Sequence, residues 1–292
     1  MNNNNFNFPR ILHLFWNGPL PFLNYLTVIS FQKYHPNWII NVYTTKKSVI
    51  EAAWKSSEQA RKIVCKNYMD ELKKLKNVNI LDVTYMCINH CIDKLNHVYQ
   101  SDIIRIFFLK EIGGVWSDFD IIYIKNMEKI FSNYTKDIIF RVTGKNGYIY
   151  CPIGLLISKG NQTFYKDLYN RVMGVLKNDK QWYQKFGMDN YNKLLHINDA
   201  KKSVEMSKKY NCVYLGQEYY LPYQWNELEL IFDTIDKTRI VENTVGIHWF
   251  NGADRSRKYV NYVEKIDPNN FKIKSTMDKL IAPYLKHKIN SL

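Results

Sequence analysis

A chain of 292 residues, 46% hydrophobic and 23% charged, has the make-up of a folded globular protein and excludes disorder and collagen-like architecture. Its formal charge of +14, from 41 Lys and Arg against 27 Asp and Glu, suits phosphate-bearing partners such as nucleic acid, nucleotides or an anionic membrane surface. Lysine supplies 33 of those cations and arginine only 8, beside 31 Asn, 31 Ile and 22 Tyr, a set favoured by A/T-rich codons, so much of the excess is compositional.

The first 160 residues alternate short β-branched or aromatic runs with longer helical patterns, which predicts an α/β sheet. Arg10–Trp16 reads as a buried first strand, closed by the turn Asn17-Gly18-Pro19. A helix is predicted over Phe22–Tyr34 and stops at His35-Pro36, because the residue before proline is disfavoured in the α region. Trp38–Tyr43 is a second strand, Thr44–Lys76 is expected to be helical, and Val78–Val83 is a third strand. A helix over Val98–Ile112 follows, with Ile103, Ile106, Phe107 and Leu109 on its apolar side. Gly113-Gly114 ends it. Val115–Ser117 is a short buried strand leading into Asp118-Phe119-Asp120, and Ile121–Ile124 resumes the extended pattern. Two more strands are expected between Ile138 and Ser158, then a helix over Asn161–Leu176. Beyond this, Lys180–Lys209 is helical in pieces, Cys212–Leu215 and Arg239–Trp249 read as strands, and Ser275–Ile289 as a terminal helix.

No run of about 18 apolar residues marks a membrane span. The Asn-rich N-terminus has neither the basic nor the apolar region of a secretory signal. Five cysteines (Cys65, Cys87, Cys91, Cys151, Cys212) are an odd number without a dense framework, as expected of reduced thiols. These features predict a soluble, cytoplasmic protein. Cys87, His90, Cys91 and His97 lack accepted zinc spacing, and the cysteines are read as ordinary buried thiols. Residues 255–292 carry a net charge of +6, the pattern of a solvated basic face or of a peripheral contact with an anionic membrane.

The chemistry concentrates between Ser101 and Asp120. Asp118 and Asp120, separated by one residue just past a buried strand, point to the same side where the backbone leaves the sheet, which is where open α/β sheets place ligands. Hard divalent cations such as Mg²⁺ or Mn²⁺ take oxygen ligands and complete their shell with water and substrate phosphates, so two carboxylates suffice beside a diphosphate. On the preceding helix, Asp102 and Arg105 share a face at i, i+3, either as a simple ion pair or as groups beside a ligand. Arg105 interrupts the apolar run Ile-Ile-Arg-Ile-Phe-Phe, which favours burial beside a ligand.

The full string, with Ser101-Asp102, Arg105, Leu109, Gly113-Gly114, Trp116, Asp118 and Asp120, resembles the signature of DXD-containing sugar transferases of glycosyltransferase family 32 and of the related catalytic domains of large clostridial glucosylating toxins. Ile11–Gly18, ending its strand at Trp16, is similar to the first strand of those enzymes. Gln217–Pro222 and Val245–Trp249 are similar to their late segments. The resemblance implies a GT-A-like nucleotide-sugar-binding fold with a mixed, mainly parallel central sheet flanked by helices. It is expected as one domain over 1–292, divided into a nucleotide-sugar-binding part (8–160), an acceptor and closing part (161–265) and a basic C-terminal helix (266–292). It implies a nucleotide-diphosphate sugar donor, Mn²⁺ or Mg²⁺ as cofactor, and transfer of a hexose, with retention, to a glycan, lipid or protein hydroxyl, as in bacterial or viral polysaccharide biosynthesis.

Carried over residue by residue, Asp120 is the direct metal ligand and Asp118 reaches the ribose or donor sugar and helps place the ion. Asp102 and Arg105 face the donor sugar, and Trp16 stacks on the base. Asp102, Arg105, Asp118 and Asp120 form the expected catalytic set. His248, in Ile247-His248-Trp249, is either a third metal ligand or diphosphate contact, or a core histidine. The segment Ala253–Arg257 departs from the family pattern, and Arg255 or Arg257 is a possible phosphate fork. Two rivals are weaker. A haloacid-dehalogenase-like phosphatase would need a Thr or Val where Ile122 stands and a later acidic pair. A basic nucleotide- or nucleic-acid-binding protein without transferase activity has only the charge in its favour, since no Gly-rich phosphate loop, zinc finger or RNA-recognition motif is present.

Overall fold

The computed structural model describes residues 6–46, 65–144, 146–177 and 184–289. Eleven strands are found among them: β1 (Ile11–Phe15), β2 (Ile39–Thr44), β3 (Val78–Asp82), β4 (Gly114–Ser117), β5 (Ile121–Tyr123), β6 (Asp137–Phe140), β7 (Val142–Thr143), β8 (Ile149–Tyr150), β9 (Leu155–Ser158), β10 (Cys212–Leu215) and β11 (Gly246–His248). Seven form one sheet in the order β10-β6-β9-β4-β1-β2-β3. The pairs β1–β2, β2–β3, β1–β4 and β6–β10 are parallel, and only β9 runs against its neighbours β4 and β6. The mixed, mainly parallel sheet read from the sequence is therefore present.

Side chains along the central strands alternate between two apolar layers, as a period of two requires. Leu12, Leu14, Val115, Leu155 and Ile157 enter a core with helix Phe22–Tyr34, while Trp116, Leu156 and Ile139 enter another with helices His97–Glu111 and Thr163–Leu176. Helix Phe22–Tyr34 is buried from Phe22 through Phe31, being packed between the sheet and the C-terminal elements. Asn96 starts helix His97–Glu111 by accepting a hydrogen bond from the Tyr99 N–H at 3.0 Å.

Gly113-Gly114 does more than end that helix. Both residues have left-handed φ (+74° and +97°); a Cβ on Gly113 would lie 2.3 Å from Gly160 N, and one on Gly114 would lie 2.6 Å from Ile11 O. The pair lets the chain turn at once into β4, close against β1. From β1 the chain steps outward to β2 and β3, then returns to β4 on the other side of β1. The order thus reverses between β1 and β4, and the crevice beyond their C-terminal ends is where an open α/β sheet receives a ligand.

Several sequence expectations change. The strand expected at Arg239–Trp249 shrinks to β11, because its antiparallel partner β5 has only three residues and Asp236 holds the backbone N–H groups of Thr238 and Arg239 in a turn. Four strands, β6 to β9, replace the two expected between Ile138 and Ser158. Of the long helix expected over Thr44–Lys76, Thr44 belongs to β2, Met69–Lys73 is helical, and residues 47–64 lie outside the described residues, as do 180–183 of the Lys180–Lys209 segment. The terminal helix breaks into Thr276–Ile281, a 3₁₀ turn Ala282–Tyr284 and Lys286–Ile289 around Pro283, which lacks the N–H a continuous helix needs.

The basic C-terminal segment is also less uniform than its sequence. Lys288 is buried, and its Nζ donates to the carbonyls of Val263, Glu264 and Ile266 at 2.9, 3.0 and 2.6 Å, closing the C-terminal end of helix Asp254–Lys265. Cys91, expected to be buried, is exposed, while Cys87, Cys151 and Cys212 are buried.

Candidate active site

A cavity of about 670 Å³ opens at the C-terminal ends of β1 and β4, and it is lined by Trp16, Asp102, Arg105, Asp118, Asp120 and His248, all singled out in the sequence. Trp16 follows β1 directly, with its indole edge-on to Phe119 at 5.4 Å and its Nε1–H bonded to Pro19 O. Asp118 and Asp120 flank the turn between β4 and β5. That turn is pinned from both sides: the Asp118 N–H donates to Gly154 O at 2.8 Å, and Asn24 Nδ2 donates to Phe119 O at 3.0 Å.

The antiparallel pair β5–β11 sets His248 opposite Ile121, next to Asp120 in the chain. His248 Nε2 lies 3.0 Å from Asp120 Oδ1, and one ligand atom from each of Asp118, Asp120 and His248 falls within 4.8 Å of the others. Asp120 is further fixed through Oδ2, which accepts the Asn251 N–H at 2.8 Å, and through its carbonyl, which accepts the Trp249 N–H. Oδ1 is sealed from solvent and directed at the space shared with His248. Two carboxylates and an imidazole around that space are a donor set suited to a divalent cation such as Mn²⁺ or Mg²⁺.

Arg105 is almost fully buried and densely tethered. Its Nη1 donates to Ile153 O at 2.6 Å, Nη2 lies 3.1 Å from Asp102 Oδ1 and 3.5 Å from Asp118 Oδ1, and Ser101 accepts from the same guanidinium. Asp118 Oδ1 also accepts from Trp116 Nε1 at 3.0 Å. The Asp118 side chain keeps 32% of its surface exposed, against 4% for Asp102, so it is the carboxylate of this network that remains open to the cavity.

The two aspartates are tuned apart. Burial raises Asp118 above the usual carboxylate range, the charge on Asp120 adds to this, and Arg105 opposes it. Asp120 is held below that range: burial alone would raise it, but His248 and the Asn251 N–H outweigh burial. Arg105 is likewise held above its ordinary value, burial being outweighed by Asp118 and Asp102.

Of the two arginines singled out beyond His248, Arg257 lines the cavity, whereas Arg255 pairs with Asp233. The residues around Cys87 do not converge: His90 Nδ1 pairs with the Tyr169 hydroxyl, and Cys91 faces solvent. Several lining residues carried no signal in the motif. Tyr220 and Phe250 pack around His248, Trp225 stands edge-on to Phe250 at 5.5 Å, and Gly154 approaches the acids so closely that a Cβ would lie 3.3 Å from Asp118 Oδ2 and 3.4 Å from His248 Nε2. Trp225 was visible only as an aromatic in a polar run, and Gly154 only as a glycine before an apolar strand.

Residues 23–137 match the family described as the glycosyltransferase sugar-binding region containing DXD motif. Similar solved structures include the PaToxG glycosyltransferase, at 13% identity with 87% of this chain and 86% of that chain covered and a TM-score of 0.49. The apo-form glycosyltransferase GlyE of Streptococcus pneumoniae TIGR4 is 12% identical, with 96% and 64% covered and a TM-score of 0.48. The galactosyltransferase LgtC, in complex with donor and acceptor sugar analogs, is 10% identical, with 88% and 97% covered and a TM-score of 0.44. No curated protein matches the chain. The family match spans Asp102, Arg105, Asp118 and Asp120 together with the glycine pair that places them.

Proposed function

We propose that the cavity binds a UDP- or GDP-sugar and transfers its hexose, with retention, to a hydroxyl of a glycan, lipid or protein. The observation that carries this reading is the convergence of Asp118, Asp120 and His248 beside the Asp102–Arg105 pair in one cavity. Asp118, Asp120 and His248 would hold Mn²⁺ or Mg²⁺, which when bound neutralises charge on a departing diphosphate. Trp16 offers an aromatic face to the base at the β1 end. Asp102 and Arg105, held rigid by Ile153 O and Ser101, present a fixed pair to the donor sugar at the other. Preorganisation of this kind lowers the reorganisation needed as charge develops. Phe250 and Trp225 line the cavity as well and would limit water, the competing acceptor.

Residues 8–160 then supply the donor side and 161–265 the acceptor and closing side of a single domain. No helix among the described residues is long and apolar enough to cross a membrane. Together with the reduced cysteines this supports a cytoplasmic enzyme, one that meets an anionic membrane through the exposed Lys265, Lys272, Lys274, Lys279 and Lys286. A panel of UDP- and GDP-sugars with Mn²⁺, scored by thermal shift and by hydrolysis, tests the donor reading. One donor should stabilise the protein and be hydrolysed, and a flat response to all of them would overturn it. The anomeric configuration of the product, read by NMR, tests retention.

A further inference from the structure

An open groove of about 910 Å³ lies apart from the donor cavity, between helix Thr163–Leu176, helix Met188–Leu194 and helix Ala200–Lys209. One chain segment, residues 148–153, contributes to both. Tyr148 lines the groove, while Tyr150, Pro152 and Ile153 line the cavity. Tyr148 and Tyr150 are two residues apart, about 7 Å along an extended chain, a little more than one sugar ring.

This segment is fixed in place. Asn198 bonds both backbone groups of Ile149, accepting its N–H and donating to its carbonyl at 2.9 Å each, and the buried Asn192 accepts the Cys151 N–H and reaches the Tyr148 hydroxyl. Tyr148 is 52% exposed and offers an aromatic side chain beside amide groups, which is the chemistry that receives a sugar.

The groove is also positive. Its acid Asp199 is engaged by Lys202, and the nearby Asp167 by Lys209 and Tyr210. Arg171 and Lys193 line the same groove and have no ion-pair partner among the described residues. Two such cations in a groove that also holds an exposed tyrosine favour a ligand that carries carboxylate or phosphate on a sugar frame.

We infer that this groove is an extended acceptor subsite, which holds an anionic glycan so that its terminal hydroxyl reaches across the Tyr148–Tyr150 segment into the donor cavity. The inference rests on the transferase reading above, and its test separates the two. Binding of tetragalacturonate to the full chain is measured by calorimetry against uncharged maltotetraose, and against inorganic phosphate as a probe of the charge alone. Tetragalacturonate should bind more tightly than either and weaken with added salt. Arg171→Ala/Lys193→Ala should lose about tenfold or more in that affinity, and Tyr148→Ala should weaken both tetrasaccharides, all with donor hydrolysis unchanged. Equal affinity for the charged and neutral tetrasaccharides, binding of phosphate as tight as that of tetragalacturonate, or an unaltered double variant would each overturn the inference. Loss of donor hydrolysis in the wild type, with the groove still binding, would overturn the transferase reading instead.

Discussion

Acidification should unfold this protein through two buried histidines, His13 and His35. His13 is sealed in β1: its Nε2–H donates to Gly113 O at 2.8 Å, and Nδ1 accepts from the Tyr43 hydroxyl at 2.7 Å. His35 uses the opposite tautomer, with Nδ1–H donating to Phe31 O and Nε2 accepting the Met127 N–H at 2.9 Å. In each ring the accepting nitrogen would lose its bond on protonation, and burial lowers both groups from 6.5 to about 4. The unfolded chain therefore binds more protons than the folded one between about pH 6.5 and 4, and stability falls with pH through that window, by about 3 kcal/mol per histidine at its limit.

Asp137 opposes them. It accepts the Lys159 N–H at 2.8 Å in a buried setting, and burial raises it from 3.8 to about 6. Its folded form takes up a proton that the unfolded form does not, which favours folding as pH falls through about 6. The three groups together leave a net loss of about 3 kcal/mol between pH 6.5 and 4.5, a large part of a typical stability of about 5–15 kcal/mol. Urea unfolding followed by tryptophan fluorescence across this range should show it. Asp137→Asn keeps the acceptor for Lys159 while removing the opposing group, so it should steepen the acid loss to about 4 kcal/mol and raise stability at pH 8. A stability that is flat or rising between pH 6.5 and 4.5, or an Asp137→Asn variant less stable at pH 8, would refute the reasoning.

The remaining predictions concern the site and the glycine turn. Asp120→Ala should abolish the Mn²⁺-dependent thermal shift and lower donor hydrolysis by about a hundredfold or more. Trp16→Ala should weaken nucleotide binding by about 1–3 kcal/mol, read as a raised KM for donor with kcat little changed. In Gly154→Ala the new methyl would crowd Asp118 Oδ2 and His248 Nε2; Mn²⁺ affinity by calorimetry should drop while the urea midpoint in chelator stays that of the wild type. Gly113→Ala combines a left-handed φ with a 2.3 Å approach to Gly160 N and should cost about 3 kcal/mol or more, whereas Gly18→Ala, with nothing within 4 Å, should cost only the conformational strain of about 1 kcal/mol. Urea midpoints compare the two.

Elements whose information is local were legible in the sequence. Helix Phe22–Tyr34 ends where His35-Pro36 requires, and β4 with the aspartates follows the glycine pair as the motif implied. Arg105 betrayed its burial by interrupting an apolar face. The illegible part depends on pairing between distant segments. Nothing near Ile121 announces that β11 will come beside it, so the placement of His248 against Asp120 stayed one of two open readings until the strands were paired. Tyr220, Trp225 and Phe250 share that difficulty, since an aromatic lining a cavity and one filling a core have the same sequence. Lys288 looked like part of a solvated basic run, and only the position of three carbonyls makes it an internal cap.

That buried lysine ties late residues to the start of the fold. Glu264, whose carbonyl Lys288 holds, uses its carboxylate to accept the Phe22 N–H at 2.7 Å, across a separation of 242 residues, and so caps the helix that follows the Trp16 turn. The loop closure needed to make this bond is among the longest the chain can form, and such contacts slow folding more than local ones do. The helix that follows the Trp16 turn is therefore anchored by a segment translated long after it. A chain stopped before Lys288 would still contain every residue of the DXD motif, yet it would leave helix Asp254–Lys265 uncapped and loosen the first turn of helix Phe22–Tyr34, so that a lesion remote from the active site in sequence would be felt as weakened nucleotide binding.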